Sequence, residues 1–357
     1  MANSSAKGRQ VLLAHGAAKL PEVTVDCYSL ELEGEDGFAG DRANKGAFIR
    51  ILDELRESLR EGGVDPLGSK PTEELSRSKL GELLAEGKPA QAALVQSAIE
   101  NFAQELKGAT LAFLKLKSWR DTECIVVGGG FRDSRVGELA IARTNILLKS
   151  EGVEVDMQLL DGDPDEAALV GSAHLLPVWM LDGHDAMLAV DIGGTNIRAG
   201  VVQLNLTKAR DLSKAKVAAM KLWCHGEEDG VKRDAAVDRL GQMLESLCER
   251  AAKDGLSLLP VVGVGCPGVI REDGTIAAGT QNLPGNWESA TFHLPEEIRK
   301  RFPKIADNDV TVVMHNDAVV QGLSQIPRMR KRHRWGIFTI GTGLGNARFT
   351  AHEPDEG

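Results

Sequence analysis

A short glycine-rich segment that begins at Asp191 combines a carboxylate, two glycines and two hydrogen-bonding side chains in the order Asp-Ile-Gly-Gly-Thr-Asn. It lies between two apolar patterns that predict strands. We therefore expect a hairpin turn, which excludes Rossmann and Walker nucleotide sites because these need a helix after the glycines. The backbone N–H groups of Gly193 and Gly194 can approach phosphate oxygens closely, with Thr195 and Asn196 adding side-chain donors. Asp191 can hold Mg²⁺, directly or through water. An ordinary glycine hairpin explains this segment alone equally well.

A second glycine turn follows another apolar strand pattern and has the sequence Gly-Thr-Gly-Leu-Gly from Gly341 onward. One turn of this kind is a weak signal, whereas two that each follow a buried strand indicate a pair of loops around one polyphosphate. We therefore predict that Gly341, Thr342 and Gly343 bind phosphate. Two unrelated hairpins are the alternative interpretation.

Three glycines, Gly128, Gly129 and Gly130, end a short buried-strand pattern that begins at Cys124. Because glycine has no side chain, a flat base can lie directly against backbone of this kind. We predict that the nucleoside binds here. Taken alone, the pattern also fits a plain junction between a strand and a helix.

Asn316 and Asp317 come at the end of a strand pattern and just before a predicted helix. Transfer of a phosphoryl group to an alcohol needs a carboxylate that accepts the hydroxyl proton and orients the attacking oxygen. We predict that Asp317 is this catalytic base and also binds substrate, and that Asn316 binds a neighbouring hydroxyl. In isolation, capping of the helix explains both residues better.

A loop that runs from Asn282 to Trp287, Asn-Leu-Pro-Gly-Asn-Trp, follows a Gly-Cys-Pro-Gly turn that begins at Gly265. Amide side chains suit sugar hydroxyls, and an indole ring suits the apolar face of a sugar. We predict that Asn282 binds substrate. The proline and glycine residues are equally consistent with ordinary turns.

The elements expected around these motifs alternate between strands and helices, which predicts an α/β fold. Strands are expected at residues 21–32, 153–160, 187–190, 199–204, 261–264, 310–314 and 335–340. Helices are expected at residues 47–62, 75–86, 89–116, 135–149 and 232–254. The chain has 357 residues, a length that suits about two domains.

Composition restricts the partners. The net charge is −10, which disfavours a nucleic-acid backbone because no excess of cations is present to replace its counterions. No stretch approaches the roughly 20 apolar residues that span a bilayer, and the N-terminal residues do not form a signal peptide. Five cysteines without a Cys-x-x-Cys pair indicate reduced thiols rather than a disulfide framework or a zinc site. We expect a cytoplasmic protein that binds neither nucleic acid nor membrane.

Together these residues resemble the ROK family of sugar kinases, the bacterial glucokinase-like branch of the hexokinase–actin superfamily. The matches cover residues 187–347: the turn at Asp191 resembles the first phosphate motif, the turn at Gly341 resembles the second, and Asn316 with Asp317 resembles the pair that holds sugar and supplies the base. The resemblance implies a two-lobed, actin-like (ribonuclease H-like) α/β fold. It also implies that the protein uses ATP and Mg²⁺ to phosphorylate a hexose or related sugar. A homodimer is left open.

The order of the motifs along the chain differs from that of the family, in which the adenosine motif and the last helix follow the second phosphate motif. Here the segments that resemble them, residues 125–130 and 163–173, precede Asp191. We therefore expect a circular permutant, which is physically reasonable where the original chain ends lie close together. This expectation predicts that residues near Lys7 and His352 are neighbours.

The permuted order gives a prediction for the two lobes. Residues 1–165 together with 333–357 are expected to form the larger lobe, with the adenosine side and the second phosphate turn. Residues 166–332 are expected to form the smaller lobe, with the first phosphate turn, the sugar loops and the catalytic aspartate.

Two features of the family are absent from the sequence. Its Glu-x-Gly-His sugar clamp does not match residues 31–46, which fall near the corresponding place, and its cysteine-rich zinc loop is missing, so we expect no zinc. The missing clamp favours one alternative, a non-catalytic sugar or nucleotide sensor that keeps the fold. A kinase that uses another phosphate donor, such as polyphosphate, is the other alternative, because it keeps the two turns without the need for an adenosine pocket.

Overall fold

The structure is a computed structural model and describes residues 14–34 and 37–352. The chain divides into two compact units. Of the described residues, unit 1 comprises 14–29, 165–331 and 349–352, and unit 2 comprises 30–34, 37–164 and 332–348. Which of the two parts serves the adenosine and which the sugar stays a prediction.

The strands lie, in chain order, at β1 Val23–Tyr28, β2 Glu33–Gly34, β3 Gly37–Phe38, β4 Cys124–Gly128, β5 Asp156–Leu159, β6 Ala186–Ile192, β7 Ile197–Gln203, β8 Lys216–Trp223, β9 Leu258–Cys266, β10 Lys304–Ile305, β11 Asn308–Asp309, β12 Thr311–Asn316, β13 Arg334–Ile340 and β14 Leu344–Ala351. The helices lie at α1 Ala39–Arg42, α2 Lys45–Glu61, α3 Arg77–Glu86, α4 Pro89–Leu114, α5 Arg135–Ser150, α6 Pro164–Gly171, α7 Val178–Leu181, α8 Arg233–Lys253, α9 Leu294–Arg301, α10 Asp317–Leu323 and α11 Ile326–Met329. None of these helices is both long and apolar enough to cross a membrane.

Unit 1 contains a five-stranded sheet in the order β12-β9-β6-β7-β8. Strands β6, β7 and β8 form an antiparallel meander, and β9 and β12 add on parallel to β6. Helix α8 packs against β6, β7 and β8, whereas α10 packs against β9 and β12. Every residue of β6 is buried, which agrees with the continuous apolar run expected of a strand covered on both faces.

Unit 2 has its core around β4, β5 and β13, which are parallel. Its longest helix, α4, begins at Pro89, a favoured first helical position, and buries residues at intervals of three and four. The end of α4 reaches the sheet through Phe113, whose ring centroid lies 5.1 Å from that of Phe338 on β13. Phe102, also on α4, packs against Phe131 at 4.8 Å, next to the glycine segment that follows β4. The sequence prediction of a helix at 89–116 is confirmed.

The second five-stranded sheet has the order β1-β14-β13-β4-β5. In both sheets three neighbouring strands are parallel, β13-β4-β5 in this one and β6-β9-β12 in the other. In unit 1 the residues of β1 and the end of β14 are joined by hydrogen bonds, since the Thr350 hydroxyl donates to Asp26 at 2.8 Å and the His352 amide donates to the Glu22 carbonyl at 3.0 Å. The predicted α/β fold class is confirmed. The prediction that residues near Lys7 and His352 are neighbours involves Lys7, which lies outside the described residues.

Candidate active site

The first glycine turn joins β6 to β7 as a hairpin, as the sequence predicts. The Gly193 amide donates to the Asn196 carbonyl at 2.8 Å, which closes the turn. In the described ranges 14–34 and 37–352, no acceptor is bonded to the backbone N–H groups of Gly194, Thr195 and Asn196. Successive N–H groups that have no protein acceptor form a concavity suited to an anion. The turn therefore has the donors that a phosphate group needs.

Asp191, one residue before the end of β6, is buried, with only 8% of its surface exposed. It lies opposite Arg198 on β7, and Nη1 of Arg198 is 3.5 Å from its Oδ2. The other terminal nitrogen of Arg198 donates to Asp165 at 2.6 Å. Burial raises the pKa of Asp191 to about 6, while the charge of Arg198 lowers it and that of Asp165 raises it. The sequence analysis did not identify Arg198, because its role depends on the register between the two strands.

Asp317 is the first residue of α10 and lies in the same unit as Asp191. Gly265, on β9, separates them: a Cβ atom added to it would lie 3.5 Å from Asp317 Cα and 3.7 Å from Asp191 Oδ1. Burial, followed by the negative charge of Asp191, raises the pKa of Asp317 to about 7. The structure thus brings together the two carboxylates that the sequence singles out, at one end of the unit 1 sheet.

These carboxylates allow a test of whether Mg²⁺ fits. Within the part of the chain that the structure describes, no three His, Cys, Asp or Glu side chains form a metal cluster. Mg²⁺ bound to a nucleotide needs only one or two carboxylates, with phosphate oxygens and waters completing its shell. Asp191 supplies one such carboxylate, and a buried carboxylate with a raised pKa is stabilised in its charged form by a cation. The donor set therefore fits the ion.

Asn316 is the N-cap residue of α10 and is only 1% exposed. Its Oδ1 accepts a hydrogen bond from the Val319 amide at 3.2 Å. Its Nδ2 donates to the Ser29 hydroxyl at 3.1 Å and to the Gly268 carbonyl at 3.0 Å. These bonds fix the start of the helix, and with it the backbone of Asp317. The assignment of Asn316 to a sugar hydroxyl stays a prediction.

The loop at residues 282–287, predicted to bind sugar, contacts the first glycine turn. A Cβ atom added to Gly194 would lie 3.1 Å from Cβ of Asn282, an exposed residue, so these two predicted site residues are in contact. Trp287, in contrast, is fully buried, its indole N–H donates to the Pro284 carbonyl at 2.9 Å, and its ring packs against Phe292. The expectation that this indole covers a sugar face is wrong, because the ring belongs to the core of unit 1.

In unit 2, the other two glycine motifs are neighbours. Gly129 has φ +80°, and a Cβ atom there would come within 2.6 Å of the Ile340 carbonyl, so only glycine fits. The residue after Ile340 is Gly341, whose amide donates to the Gly343 carbonyl at 2.9 Å. A Cβ atom on Gly341 or Gly343 would meet nothing within 4 Å, so this turn has an open face. Gly128 and Gly130 flank Gly129, and Thr342 is exposed in the turn.

A residue outside the predicted set also contacts the first phosphate turn. His225, in a short 3₁₀ turn after β8, has its Nε2 2.9 Å from the Gly193 carbonyl. The next residue, Gly226, donates its amide to the Thr195 carbonyl at 3.0 Å. No local sequence signal identifies this pair, because the contact joins segments about 30 residues apart and depends on the β7–β8 pairing.

Comparison with known proteins places these motifs in a family. Residues 187–357 match the ROK family. None of the curated proteins matches the chain. Similar solved structures include a proposed sugar kinase from Cytophaga hutchinsonii (19% identity, 46% of this chain and 47% of that one, TM-score 0.34), a proposed N-acetylmannosamine kinase from Listeria monocytogenes (22%, 46% and 47%, 0.31) and a ROK hexokinase from Thermus thermophilus (18%, 37% and 35%, 0.26). The chain thus spans less than half the length of each of these three structures. Residues 187–357, which carry Asp191, Asp317 and both glycine turns, are the part of the chain that matches the ROK family.

Proposed function

We propose that the protein is a sugar kinase that transfers the γ-phosphoryl group of ATP to a hydroxyl of a hexose or related sugar. The observation that carries this proposal is the approach of Asp191 and Asp317 across Gly265, beside a turn with three unoccupied backbone donors. A carboxylate that can accept a proton and a site for phosphate thus lie in one unit. These are the parts that phosphoryl transfer to an alcohol requires.

In this proposal the turn from Gly193 to Asn196 binds phosphate oxygens through its amides. Asp191 would hold Mg²⁺, and the bound ion would supply neutralisation of phosphate charge. Asn282, in contact with Gly194, binds a sugar hydroxyl next to the phosphates. In unit 2, the two neighbouring glycine segments keep the roles inferred from the sequence, contact with the adenosine and contact with phosphate.

Asp317 is the proposed base. Its pKa of about 7 is close to neutral pH, where a carboxylate is still ionised in part and is basic enough to accept the proton of a hydroxyl as the phosphoryl group is transferred. The helix cap provided by Asn316 fixes its backbone, so its carboxylate needs little reorganisation. A glucokinase-like choice of sugar and a cytoplasmic location, in which the five free cysteines stay reduced, are parts of the same proposal.

We also propose that the chain is a circular permutant of the family's order. In the unit 1 sheet, the meander β6-β7-β8 is followed along the chain by β9 and β12. In the other sheet, β13 and β14 come last, whereas β1, β4 and β5 come first. Joining residue 352 to residue 14 through a short Gly-Ser linker and opening the chain at the exposed turn at Gly183 tests this idea. We expect the re-ordered chain to fold with the same unfolding temperature, and a chain that does not fold would contradict the permutation.

The central test measures release of ADP over a panel of sugars, with Asp317→Asn beside wild type. We expect one or more sugars to stimulate ADP release, and we expect the variant to lose at least about 10³-fold in turnover while it still binds ATP. Asp307→Asn, at an exposed residue, is the matched control and should behave as wild type. Unchanged turnover in Asp317→Asn would refute the assignment of the base.

The same assay separates the two alternatives. A protein that binds ATP and a sugar but releases no ADP with any sugar is a sensor that keeps the fold. Turnover with polyphosphate and none with ATP identifies a kinase that uses polyphosphate as its phosphate donor. A sensor does not need Asp317 and Asp191 to lie together, whereas phosphoryl transfer from either donor uses both.

A further inference from the structure

We propose that His225 is a positioning residue of the first phosphate turn and that it sets the affinity of the site for the phosphate groups of the nucleotide. This inference rests on the proposed function, because it assigns a role relative to the phosphate site at Gly193–Asn196. It adds a residue that lies outside the glycine motifs and contacts the backbone of the turn at the Gly193 carbonyl.

The contact itself fixes the role of the imidazole. Nε2 of His225 faces the Gly193 carbonyl at 2.9 Å, and a carbonyl oxygen can only accept a hydrogen bond. Nε2 must therefore carry the proton and donate it. The side chain is 4% exposed, so water cannot easily replace this donor.

A second donor acts beside the first. The Gly226 amide donates to the Thr195 carbonyl at 3.0 Å, and a Cβ atom on Gly226 would lie only 3.2 Å from Thr195 Cα, so the two segments are packed closely. His225 and Gly226 thus bind the carbonyl oxygens of residues 193 and 195. Carbonyl oxygens repel an anion, and binding them to donors leaves the amides of residues 194–196 free for phosphate.

The support behind His225 is rigid. The ring of Trp223 makes an edge contact with the imidazole, with a centroid separation of 5.7 Å. The indole N–H of Trp223 and the guanidinium of Arg239, on α8, both donate to Glu228, at 2.8 and 2.9 Å. Arg239 also lies 4.5 Å from the Trp223 ring centre. The end of β8 and the helix α8 therefore hold the 3₁₀ turn in place. The 3₁₀ turn, through His225 and Gly226, holds the first phosphate turn.

The experiment compares three variants by titration calorimetry with tripolyphosphate, with ADP and with adenosine, in the presence of Mg²⁺. His225→Leu keeps the bulk and loses the donor, whereas His225→Gln keeps an N–H near the position of Nε2. His333→Leu, at an exposed histidine of unit 2, is the matched control. We expect His225→Leu to weaken the binding of tripolyphosphate and ADP about tenfold, the loss expected for one hydrogen bond, and to leave adenosine binding unchanged. His225→Gln should recover most of that affinity.

Two results would overturn the inference while leaving the kinase proposal intact. One is wild-type affinity for tripolyphosphate in His225→Leu. The other is an equal loss of affinity for tripolyphosphate and adenosine in both His225 variants, with a lower unfolding temperature, since that pattern reports a purely structural residue. Wild-type protein that binds neither tripolyphosphate nor ADP would instead contradict the proposed function itself, and the positioning role with it.

Discussion

Arg198 lies directly opposite Asp191 on the neighbouring antiparallel strand, with its Nη1 3.5 Å from Asp191 Oδ2. This guanidinium favours the ionised form of Asp191 against the effect of burial and against the charge of Asp165. Asp191 is the proposed magnesium ligand, and a protonated carboxylate is a poor ligand. The register of β6 and β7 places Arg198 opposite Asp191, and through the ionisation of Asp191 it affects the proposed binding of Mg²⁺ and the nucleotide.

Replacing Arg198 by methionine should raise the pKa of Asp191 further above 6, because the cation that lowers it is removed. For a rise of about one pKa unit, we expect the KM for ATP–Mg²⁺ to increase about threefold at pH 6.5 and to recover toward the wild-type value at pH 8.5. Steady-state kinetics at the two pH values check this. Arg210→Met, which removes an exposed ion pair with Asp182, is the control and should leave the KM unchanged at both.

The pH dependence of turnover follows from the pKa of Asp317. The proposed base must be ionised, and burial together with the charge of Asp191 places its pKa at about 7. We expect kcat/KM for the sugar to rise with pH and to reach half its plateau near pH 7, because this ratio reports the free enzyme. A profile that is flat between pH 5.5 and 8.5 would contradict the assignment.

The same raised pKa has a consequence for stability. The folded-state pKa of Asp317 lies above its ordinary value of 3.8, so the folded state binds the proton more tightly than the unfolded chain does. Its favourable contribution is complete below about pH 4 and is lost as the pH rises through about 7. Asp317→Asn should therefore raise the unfolding temperature at pH 8 and leave it nearly unchanged at pH 4. The gain in the free energy of unfolding at pH 8 is about 1.4 kcal/mol for each unit by which folding shifts the pKa. Thermal unfolding of this variant and of Asp307→Asn at both pH values tests the sign, and a stabilisation that is equal at the two values would contradict it.

Gly171 allows α6 to approach α10, the helix that begins at Asp317. A Cβ atom on Gly171 would lie 1.8 Å from the Val320 carbonyl oxygen, so alanine must push the two helices apart. We expect Gly171→Ala to lower the free energy of unfolding by about 1–3 kcal/mol, as overpacking does. In Gly108→Ala, on α4, the added methyl meets nothing within 4 Å, and we expect a gain of about 1 kcal/mol from helix propensity. Denaturant titrations of both variants measure the contrast, and equal effects would contradict the packing argument.

Sequence patterns predicted the elements that are strongly periodic or fully buried. The strands β6 and β13 and the helices α4, α5 and α8 fall where apolar periodicity indicates them, because burial on a defined face leaves a signal in the sequence. The hairpin at Gly193 was also predictable, since two strand patterns flank it. The strand β8 was not identified: it is an edge strand whose residues are largely exposed, so its sequence, Lys-Val-Ala-Ala-Met-Lys-Leu-Trp, lacks a clear apolar alternation.

The candidate site divides in the same way. Asp191, Asp317 and the glycine turns could be named from the sequence because their residue types and strand-end positions suggest chemistry. Arg198 and His225 could not, since each acts through a contact that only strand pairing creates. Trp287 was misinterpreted, because a tryptophan in a polar loop gives no indication of which way its ring points, and here it lies in the core.

In the sheet β1-β14-β13-β4-β5, the central strand β13 pairs with β4, which precedes it by about 210 residues. Contacts between residues so far apart in the chain form slowly. During synthesis on the ribosome, β4 and β5 emerge long before their neighbour exists, and their apolar edge stays uncovered throughout. The strands of the unit 1 sheet, in contrast, all emerge between residues 186 and 316. A nascent chain can therefore complete that sheet before β13 has been synthesised. We expect the protein to depend on chaperones that shield the exposed edges of β4 and β5 until translation has passed residue 340.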